Sequence, residues 1–327
     1  MVDATHFSYA EAPVPTPQDG QILVRVLYVS FDPAMRAFLN ERPGYVAPQQ
    51  TGEVMRAGGI AQVIESRSEG PVPGTLVVGS FGWQDYAVVD PTSGVIQIPS
   101  GRRPTDYMSV LGGTGLTAYF GLLEVGRASA GNTVVISGAA GATGSTAVQI
   151  ARIAGCRAIA IAGGAQKCRW VVEALGASAA IDYKDEDVSR RLAELCPGGV
   201  DVYFDNVGGS ILEAAIGRMN LHGRIVLCGM ISTYNDAVPA PGPSNLFELI
   251  VRRVRMEGFL LSDFASSFAE ARGVLARWLE EGKLNAVVDV QEGFENIPKT
   301  FLRLFSGTNI GKQTLKIADP PLPLTAS

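Results

Sequence analysis

Apolar residues follow a strand-like pattern in the first third of this chain. Short apolar runs are separated by Pro and Gly, and they fall at residues 21–30, 59–66, 75–80 and 83–89. Runs of this length bounded by turn residues are typical of β-strands joined by tight turns. We therefore predict a compact, barrel-like β domain for this part of the chain.

From about residue 130 the pattern changes to an alternation of strands and helices. Strands are predicted at residues 133–137, 158–162, 179–183, 199–205, 223–229 and 255–261. Helices are predicted at residues 146–154, 168–175, 187–195, 211–219, 246–254 and 268–281. This alternation predicts a doubly wound parallel sheet, in which ligands lie beyond the carboxyl ends of the strands.

Two further stretches set the expected domain boundaries. Residues 106–111 and 116–123 are predicted as helices on either side of the segment Gly112-Gly113-Thr114-Gly115. The tail returns to short strands at 286–290 and 312–317 around a helix at 296–305, so we expect it to rejoin the β-rich domain. The predicted division is 1–115 for the first segment of the β-rich domain, 116–284 for the second domain and 285–327 for the return.

The βα corner after the first strand of the second domain carries the clearest chemistry. It reads Gly138-Ala139-Ala140-Gly141-Ala142-Thr143-Gly144-Ser145. Gly141 and Gly144 permit a tight turn, and the helix that follows points its N–H groups and positive dipole end at a pyrophosphate. The pattern G-x-G-x-x-G has Ala139 in place of its first glycine. Its strand and helix context favours dinucleotide binding over a glycine turn without a ligand.

The end of the second strand indicates which dinucleotide is bound. NAD sites carry an Asp or Glu there, which accepts a hydrogen bond from the ribose 2′-OH. Here residues 162–169 read Ala-Gly-Gly-Ala-Gln-Lys-Cys-Arg, without a carboxylate. Small residues leave room for a 2′-phosphate, and Lys167 or Arg169 can neutralise it, which favours NADP(H). The alternative is that Lys167 is an ordinary solvated lysine in the first turn of a helix.

Composition narrows the class of protein without identifying it. The chain has 327 residues and a net charge of −5, and we find no long basic or acidic run, so neither nucleic acid nor a membrane is an expected partner. We find no signal peptide and no apolar stretch of membrane-spanning length, so a cytoplasmic location is expected. The four cysteines and two histidines are scattered, and no metal site is predicted.

Ordered motifs along the chain carry a family resemblance. They are Asp32-Pro33-Ala34-Met35-Arg36, Gly82-Trp83-Gln84-Asp85-Tyr86, Gly141-Ala142-Thr143-Gly144-Ser145, Ile181-Asp182-Tyr183-Lys184, Tyr203-Phe204-Asp205-Asn206-Val207-Gly208-Gly209, Gly229-Met230-Ile231-Ser232-Thr233-Tyr234-Asn235 and Glu292-Gly293-Phe294-Glu295-Asn296. From about residue 20 to 317 the chain resembles zinc-independent members of the medium-chain dehydrogenase/reductase superfamily. Within it, the chain is similar to the prostaglandin reductase, leukotriene 12-hydroxydehydrogenase and curcumin reductase group of NADPH-dependent alkenal/one reductases.

The resemblance implies an α/β chain with a GroES-like β-rich catalytic domain and a Rossmann cofactor domain. It also implies NADP(H) as cofactor, a small-molecule enone as substrate and a homodimer. The cofactor residues it implies are Gly141, Ala142, Thr143 and Gly144 at the pyrophosphate, Lys167 and Tyr183 on the 2′-phosphate side, Asn206, Cys228, Gly229, Met230, Ile231, Ser232, Thr233 and Tyr234 near the nicotinamide ribose, Phe259, Leu260 and Leu261 at the nicotinamide, and Asn309 in the tail. Ala34 stands where the group usually has a tyrosine, so any substrate contact from that side chain is absent.

The implied reaction is hydride transfer from NADPH to the β-carbon of an α,β-unsaturated ketone or aldehyde, without zinc. Negative charge then develops on the carbonyl oxygen, and Tyr234 together with the ribose 2′-OH can stabilise it by donating hydrogen bonds. Tyr234 could instead only position the ribose, and solvent could supply the α-proton. Two rival functions stay open: a zinc-independent quinone reductase, and a non-catalytic NADPH-binding sensor or structural protein.

Overall fold

The computed structural model of the chain describes residues 2–40, 47–236, 238 and 240–325. It divides into two compact units, one comprising Met1–Met108 and Val288–Ser327 and the other Ser109–Val287. The first boundary lies before residue 115 because residues 109–112 fold against the start of the next helix. Gly115 donates its N–H to the Ser109 carbonyl at 3.1 Å, and a Cβ on Gly115 would lie 1.9 Å from the Val110 carbonyl oxygen.

The strands in chain order are β1 (Ile22–Ser30), β2 (Gly58–Ser66), β3 (Leu76–Ser80), β4 (Tyr86–Val89), β5 (Ile96–Gln97), β6 (Thr133–Ile136), β7 (Arg157–Ala162), β8 (Ala179–Asp182), β9 (Val200–Asp205), β10 (Met219–Leu227), β11 (Arg255–Gly258), β12 (Val288–Glu292) and β13 (Lys312–Lys316). The α-helices are α1 (Met35–Phe38), α2 (Gly113–Tyr119), α3 (Ala142–Ile153), α4 (Ala165–Glu173), α5 (Val188–Leu195), α6 (Gly209–Ile216), α7 (Phe247–Arg252), α8 (Phe268–Glu280) and α9 (Ile297–Ser306). Short 3₁₀ segments cover Ala4–His6, Pro104–Met108, Ile231–Thr233, Leu261–Ser267 and Phe294–Asn296, and a π-helical segment covers Phe120–Val125.

The first unit is built on a mixed sheet in the order β12-β13-β1-β2-β3-β5, with β4 also paired to β1. The tail contributes two strands to this sheet, since β13 pairs antiparallel with β1 and parallel with β12. Phe31 and Phe301 lie in its core, and the half-buried ring of Trp83 contacts both of them. The motif at residues 32–36 forms the entry to α1, where the Asp32 carboxylate pairs with the buried Lys312 ammonium.

The second unit contains a parallel sheet in the order β11-β10-β9-β6-β7-β8. The interior residues of β6 and β7 are fully or almost fully buried, which explains why both strands read as unbroken apolar runs. The strand order runs outward from β6 in both directions, so the sheet has a switch point between β6 and β9. In open parallel sheets the ligand crevice lies at such a point. The predicted α/β fold class is confirmed.

Several predicted elements were wrong at their ends. The segment Gly112-Gly113-Thr114-Gly115 does not separate two helices, because α2 begins at Gly113. The helix predicted at residues 106–111 is instead a 3₁₀ segment at Pro104–Met108, and residues 109–111 lie after it. Met219 opens β10 rather than closing α6, and β11 ends at Gly258, so residues 259–261 follow the strand. Pro239, Pro241 and Pro243 indicate an irregular loop in the sequence, and Pro239 lies outside the described residues.

Candidate functional site

The glycine turn (residues 138–145) lies between β6 and α3, at the switch point of the parallel sheet. Gly138 has φ +58°, a left-handed conformation that glycine adopts without strain. Gly144 packs against the turn so closely that a Cβ there would lie 2.3 Å from the Gly138 carbonyl oxygen. Gly141 is the N-cap of α3 and, having no side chain, does not itself cap the N–H groups of the first turn. This geometry fits the pyrophosphate of a dinucleotide.

Ala139 does not disrupt the turn. Its side chain is fully buried, and its N–H donates to the Ile161 carbonyl of β7 at 3.0 Å. The residue that needs glycine is its neighbour Gly138, which takes the positive φ. The positive φ therefore lies at Gly138, one residue before the position of the first glycine in the pattern, and the turn forms with Ala139 in place.

The end of β7 carries small residues, as its sequence indicated, and Tyr183 covers them. A Cβ on Gly163 would lie 2.8–2.9 Å from the Tyr183 ring atoms, and the Tyr183 side chain is still 45% exposed. Lys167 is in the first turn of α4, directly after this corner. A cationic side chain and an exposed phenol thus follow two adjacent strand ends, an arrangement suited to a phosphate.

The carboxylate of Asp182, at the end of the adjacent strand β8, is turned toward backbone N–H groups. Its Oδ1 accepts the Gly164 N–H at 2.8 Å and the Lys184 N–H at 3.1 Å, and the residue is buried. Burial, together with Asp182 and Glu186, raises the pKa of the neighbouring Cys168 thiol to about 11. This acid shapes the corner and does not take the position of a ribose-binding acid at the end of β7.

The ends of β9 and β10 bring the predicted polar residues together. Asn206 donates its Nδ2 to the Ser137 carbonyl at 2.7 Å, next to the glycine turn. The N–H groups of Cys228 and Gly229 donate to the Asp205 carbonyl at 2.9 and 3.0 Å. Ile231 N–H likewise donates to the Asn206 carbonyl at 3.2 Å, so the loop after β10 is attached to the end of β9.

Tyr234 folds back over that loop. Its hydroxyl oxygen accepts the Met230 N–H at 3.2 Å and would lie 3.2 Å from a Cβ on Gly229. Gly229 therefore leaves the space that the phenol occupies. Burial raises the pKa of the Tyr234 hydroxyl, and the nearby Cys228 and Asp205 add to the shift, whereas the Met230 N–H opposes it. The hydroxyl is protonated at neutral pH and can donate.

Other predicted residues occupy more separate positions. Phe259 packs edge-to-face on Phe264 at 6.1 Å, and Leu260 donates its N–H to the Asp263 carboxylate at 2.9 Å. Asn309 belongs to the first unit, where its Nδ2 donates to the Gly311 carbonyl at 3.1 Å. Their proposed contacts with a cofactor stay predictions.

Two buried residues were missed by sequence reasoning. Ser137 and Asp205 are both fully buried, and Ser137 Oγ donates to Asp205 Oδ1 at 2.8 Å across the switch point. The signal available in the sequence was that each is a polar residue at the end of an apolar strand run. A buried polar side chain at such a position needs a hydrogen-bond partner, and Ser137 and Asp205 are hydrogen-bonded to each other.

Comparison with known proteins connects this geometry to a family of enzymes. Residues 1–98 match the family model described as the N-terminal domain of oxidoreductase, and residues 142–279 match the one described as zinc-binding dehydrogenase. The NADPH-dependent curcumin reductase of Escherichia coli is 37% identical over 96% of this chain and 92% of its own length. The NADP(+)-dependent 2-alkenal reductase of Nicotiana tabacum is 38% identical over 91% of this chain and 87% of its own length.

A solved structure is similar to this chain over nearly its full length. CurA of Vibrio vulnificus, crystallised in complex with NADPH, is 35% identical and superimposes with a TM-score of 0.93 over 98% of this chain and 96% of its own. One of the two family descriptions names zinc. Within the described ranges, no three His, Cys, Asp or Glu side chains are grouped to hold a metal ion. Within the same ranges, no helix has the length and apolar character needed to cross a membrane.

Proposed function

We propose that this chain, which belongs to the medium-chain dehydrogenase/reductase superfamily in the group of the NADPH-dependent curcumin and alkenal reductases, reduces the C=C bond of α,β-unsaturated ketones or aldehydes. The observation that carries the proposal is the arrangement at the switch point. A glycine turn suited to pyrophosphate, a strand end without an acid and a protonated Tyr234 all belong to the same sheet edge.

NADP(H) fits the residues that are present. Residues 141–144 would bind the pyrophosphate, since a Cβ at Gly144 would fill the space where the turn closes. Lys167 and Tyr183 would bind the 2′-phosphate, and Asn206 with residues 228–234 would adjoin the nicotinamide ribose. Residues 259–261 would adjoin the nicotinamide, and Asn309 would be a further cofactor contact, as the family resemblance implies.

When bound, NADPH would supply the hydride that is added to the β-carbon of the enone, and a proton from solvent or relayed by Tyr234 would complete the reduction at the α-carbon. Tyr234 then stabilises the negative charge that develops on the carbonyl oxygen. Its hydroxyl oxygen already accepts the Met230 N–H, so the phenol is held in place and its own proton is the one available to donate. Because its pKa is raised, Tyr234 stays a hydrogen-bond donor throughout the neutral range. We propose that this stabilisation takes place without zinc.

The test is a Tyr234→Phe enzyme, compared with Tyr183→Phe. Removing one donor to a developing oxyanion lowers kcat about 10- to 1000-fold, with the Kd of NADPH little changed. Tyr183→Phe should instead weaken NADPH binding and leave kcat near that of the wild type. A Tyr234→Phe enzyme with unchanged kcat would refute the catalytic role.

The acceptor is tested with a panel of alkyl and aryl enones, enals and quinones, followed by NADPH absorbance. The kcat/KM for enones or enals should exceed that for quinones of similar size. Preference for quinones would assign the chain to quinone reduction. NADPH binding without oxidation by any acceptor would indicate a sensor or structural protein.

We also propose that the chain forms a homodimer through α7 and β11. β11 is an edge strand of the parallel sheet, and α7 precedes it. Phe247 and Ile250 on α7 are each 71% exposed, an unusual position for large apolar side chains. Light scattering of a Phe247→Glu variant should show a monomer where the wild type is dimeric. A monomeric wild type would refute the proposal.

A further inference from the structure

The fully buried carboxylate of Asp205 receives several hydrogen bonds at the switch point. Ser137 Oγ and Tyr203 Oη each donate to its Oδ1 at 2.8 Å. The N–H groups of Val207 and Gly208 donate to the same oxygen at 3.0 Å. Burying a carboxylate is unfavourable unless donors replace its hydration, and here hydroxyls and backbone amides do so.

The donors come from structurally different places. Ser137 follows β6 and directly precedes the glycine turn, whereas Val207 and Gly208 lead into α6. The main-chain carbonyl of Asp205 also accepts from Cys228 and Gly229, at the end of β10. One residue therefore joins the ends of β6, β9 and β10, the three strands that border the proposed cofactor crevice.

Ser137 extends this connection to the turn itself. Its Oγ accepts the Asn206 N–H at 2.9 Å while donating to Asp205, and its carbonyl accepts the Asn206 side chain. A Cβ on Gly138 would lie 3.2 Å from the Asn206 Cβ, so the turn and the end of β9 are already in close contact. Loss of the Ser137 hydroxyl would release two hydrogen bonds across this contact.

We propose that Asp205 is a positioning residue that acts through Ser137 to set the spacing between the glycine turn and the Asn206 loop. The substrate does not touch this carboxylate in the proposal. Its role is to hold the turn in the conformation that binds a dinucleotide before the dinucleotide arrives, which lowers the ordering that binding requires. NADPH is the probe for this positioning role, which in that respect rests on the proposed function.

The chain offers a matched pair of variants. Ser137→Ala and Tyr203→Phe each remove one buried hydroxyl that donates to Asp205 Oδ1 at 2.8 Å. Only the Ser137 bond connects two strand ends, because Tyr203 is two residues from Asp205 on β9 itself. The two variants therefore remove similar bonds to the carboxylate and differ in whether the turn is held.

Ser137→Ala should raise the Kd of NADPH, measured by fluorescence titration, about 5- to 30-fold, and Tyr203→Phe less than about threefold. Without NADPH, hydrogen exchange in peptides covering residues 137–145 should be faster in Ser137→Ala than in Tyr203→Phe, with exchange in β8 unchanged. If Ser137→Ala does not fold, Asp205→Asn takes its place, since it keeps the shape of the side chain and removes the charge.

Equal Kd values and equal exchange in the two variants would overturn the inference, since both would then act only through general stability. An unchanged Kd in a folded Ser137→Ala protein would also overturn it. A wild type that does not bind NADPH would instead refute the proposed function, and the exchange comparison on the unliganded protein would still decide the positioning role.

Discussion

Replacing Gly144 by alanine tests whether the glycine turn depends on close backbone contact. A Cβ at this position would lie 2.3 Å from the Gly138 carbonyl oxygen, 2.8 Å from its carbonyl carbon and 2.9 Å from the Ala139 Cα. Normal contact distances for such atoms are about 3.3 Å or more, so α3 and the turn have to separate by about 1 Å. All three atoms are backbone, and none can move aside by rotating a side chain.

Two opposing effects set the size of the change. Alanine is favoured over glycine inside a helix by about 0.5–1 kcal/mol. Overpacking against a rigid neighbour costs about 1–3 kcal/mol, and the backbone contact places Gly144→Ala toward the upper end. We expect a net destabilisation of about 1–2 kcal/mol, and a Kd for NADPH raised about 10- to 100-fold because the displaced turn loses charge-assisted hydrogen bonds.

Gly273→Ala is the matched control. Gly273 also lies within a helix, α8, but a Cβ there would meet no atom of the described residues within 4 Å. The same substitution should therefore stabilise the protein by about 0.5–1 kcal/mol and leave NADPH binding unchanged. The assays are urea unfolding and fluorescence titration of NADPH. A Gly144→Ala protein as stable as Gly273→Ala, with wild-type NADPH affinity, would refute the reasoning.

Three further predictions concern the corner after β7 and the loop after β10. Lys167→Ala should raise the Kd of NADPH about 10- to 100-fold and leave that of NADH unchanged, whereas Lys184→Ala should alter neither; equal losses for both cofactors would contradict this. Gly163→Ala should destabilise the protein by less than Gly144→Ala, because its Cβ would meet the exposed Tyr183 ring, which can move, and unfolding in urea measures the difference. Burial raises the pKa of the Cys228 thiol from 9.0 to about 12. The contribution of this protonated thiol to the free energy of unfolding is therefore complete below pH 9.0 and is lost as the pH rises toward 12. At pH 8, iodoacetamide followed by mass spectrometry should label Cys228 more slowly in the folded protein than in urea, and equal rates would contradict the shift.

Element types were predictable where burial imposes a clear pattern. β6 and β7 are covered on both faces of the sheet, so their sequences are continuous apolar runs, and both were predicted within about one residue of their observed ends. The ends of elements were less predictable. Met219 reads as the last apolar residue of a helix, yet it pairs with Val200 and opens β10. Periodicity does not record which neighbouring strand supplies hydrogen bonds, so such boundaries depend on tertiary pairing.

The same division applies to the candidate site. The need for glycine at residue 144 and the absence of an acid at the end of β7 were predictable from the sequence, because each depends only on a local stretch of chain. Ala139 replaces the first glycine of the pattern, and only the structure shows that its neighbour Gly138 takes the positive φ. The connection of Ser137 to Asp205 spans 68 residues and exists only because β6 and β9 are neighbours in the sheet.

By itself, the sequence determined the alternation of strands and helices, the glycine turn and the small residues that favour a 2′-phosphate, because these features depend on local conformation and side-chain size. Only the tertiary structure decided that Ser137, Asp205 and Asn206 form one hydrogen-bonded group beside that turn, and that the Tyr234 hydroxyl is held by the Met230 N–H. Hydrogen bonds between distant strands require their donors and acceptors to be brought within about 3 Å, and strand order, which no local pattern encodes, decides which residues meet.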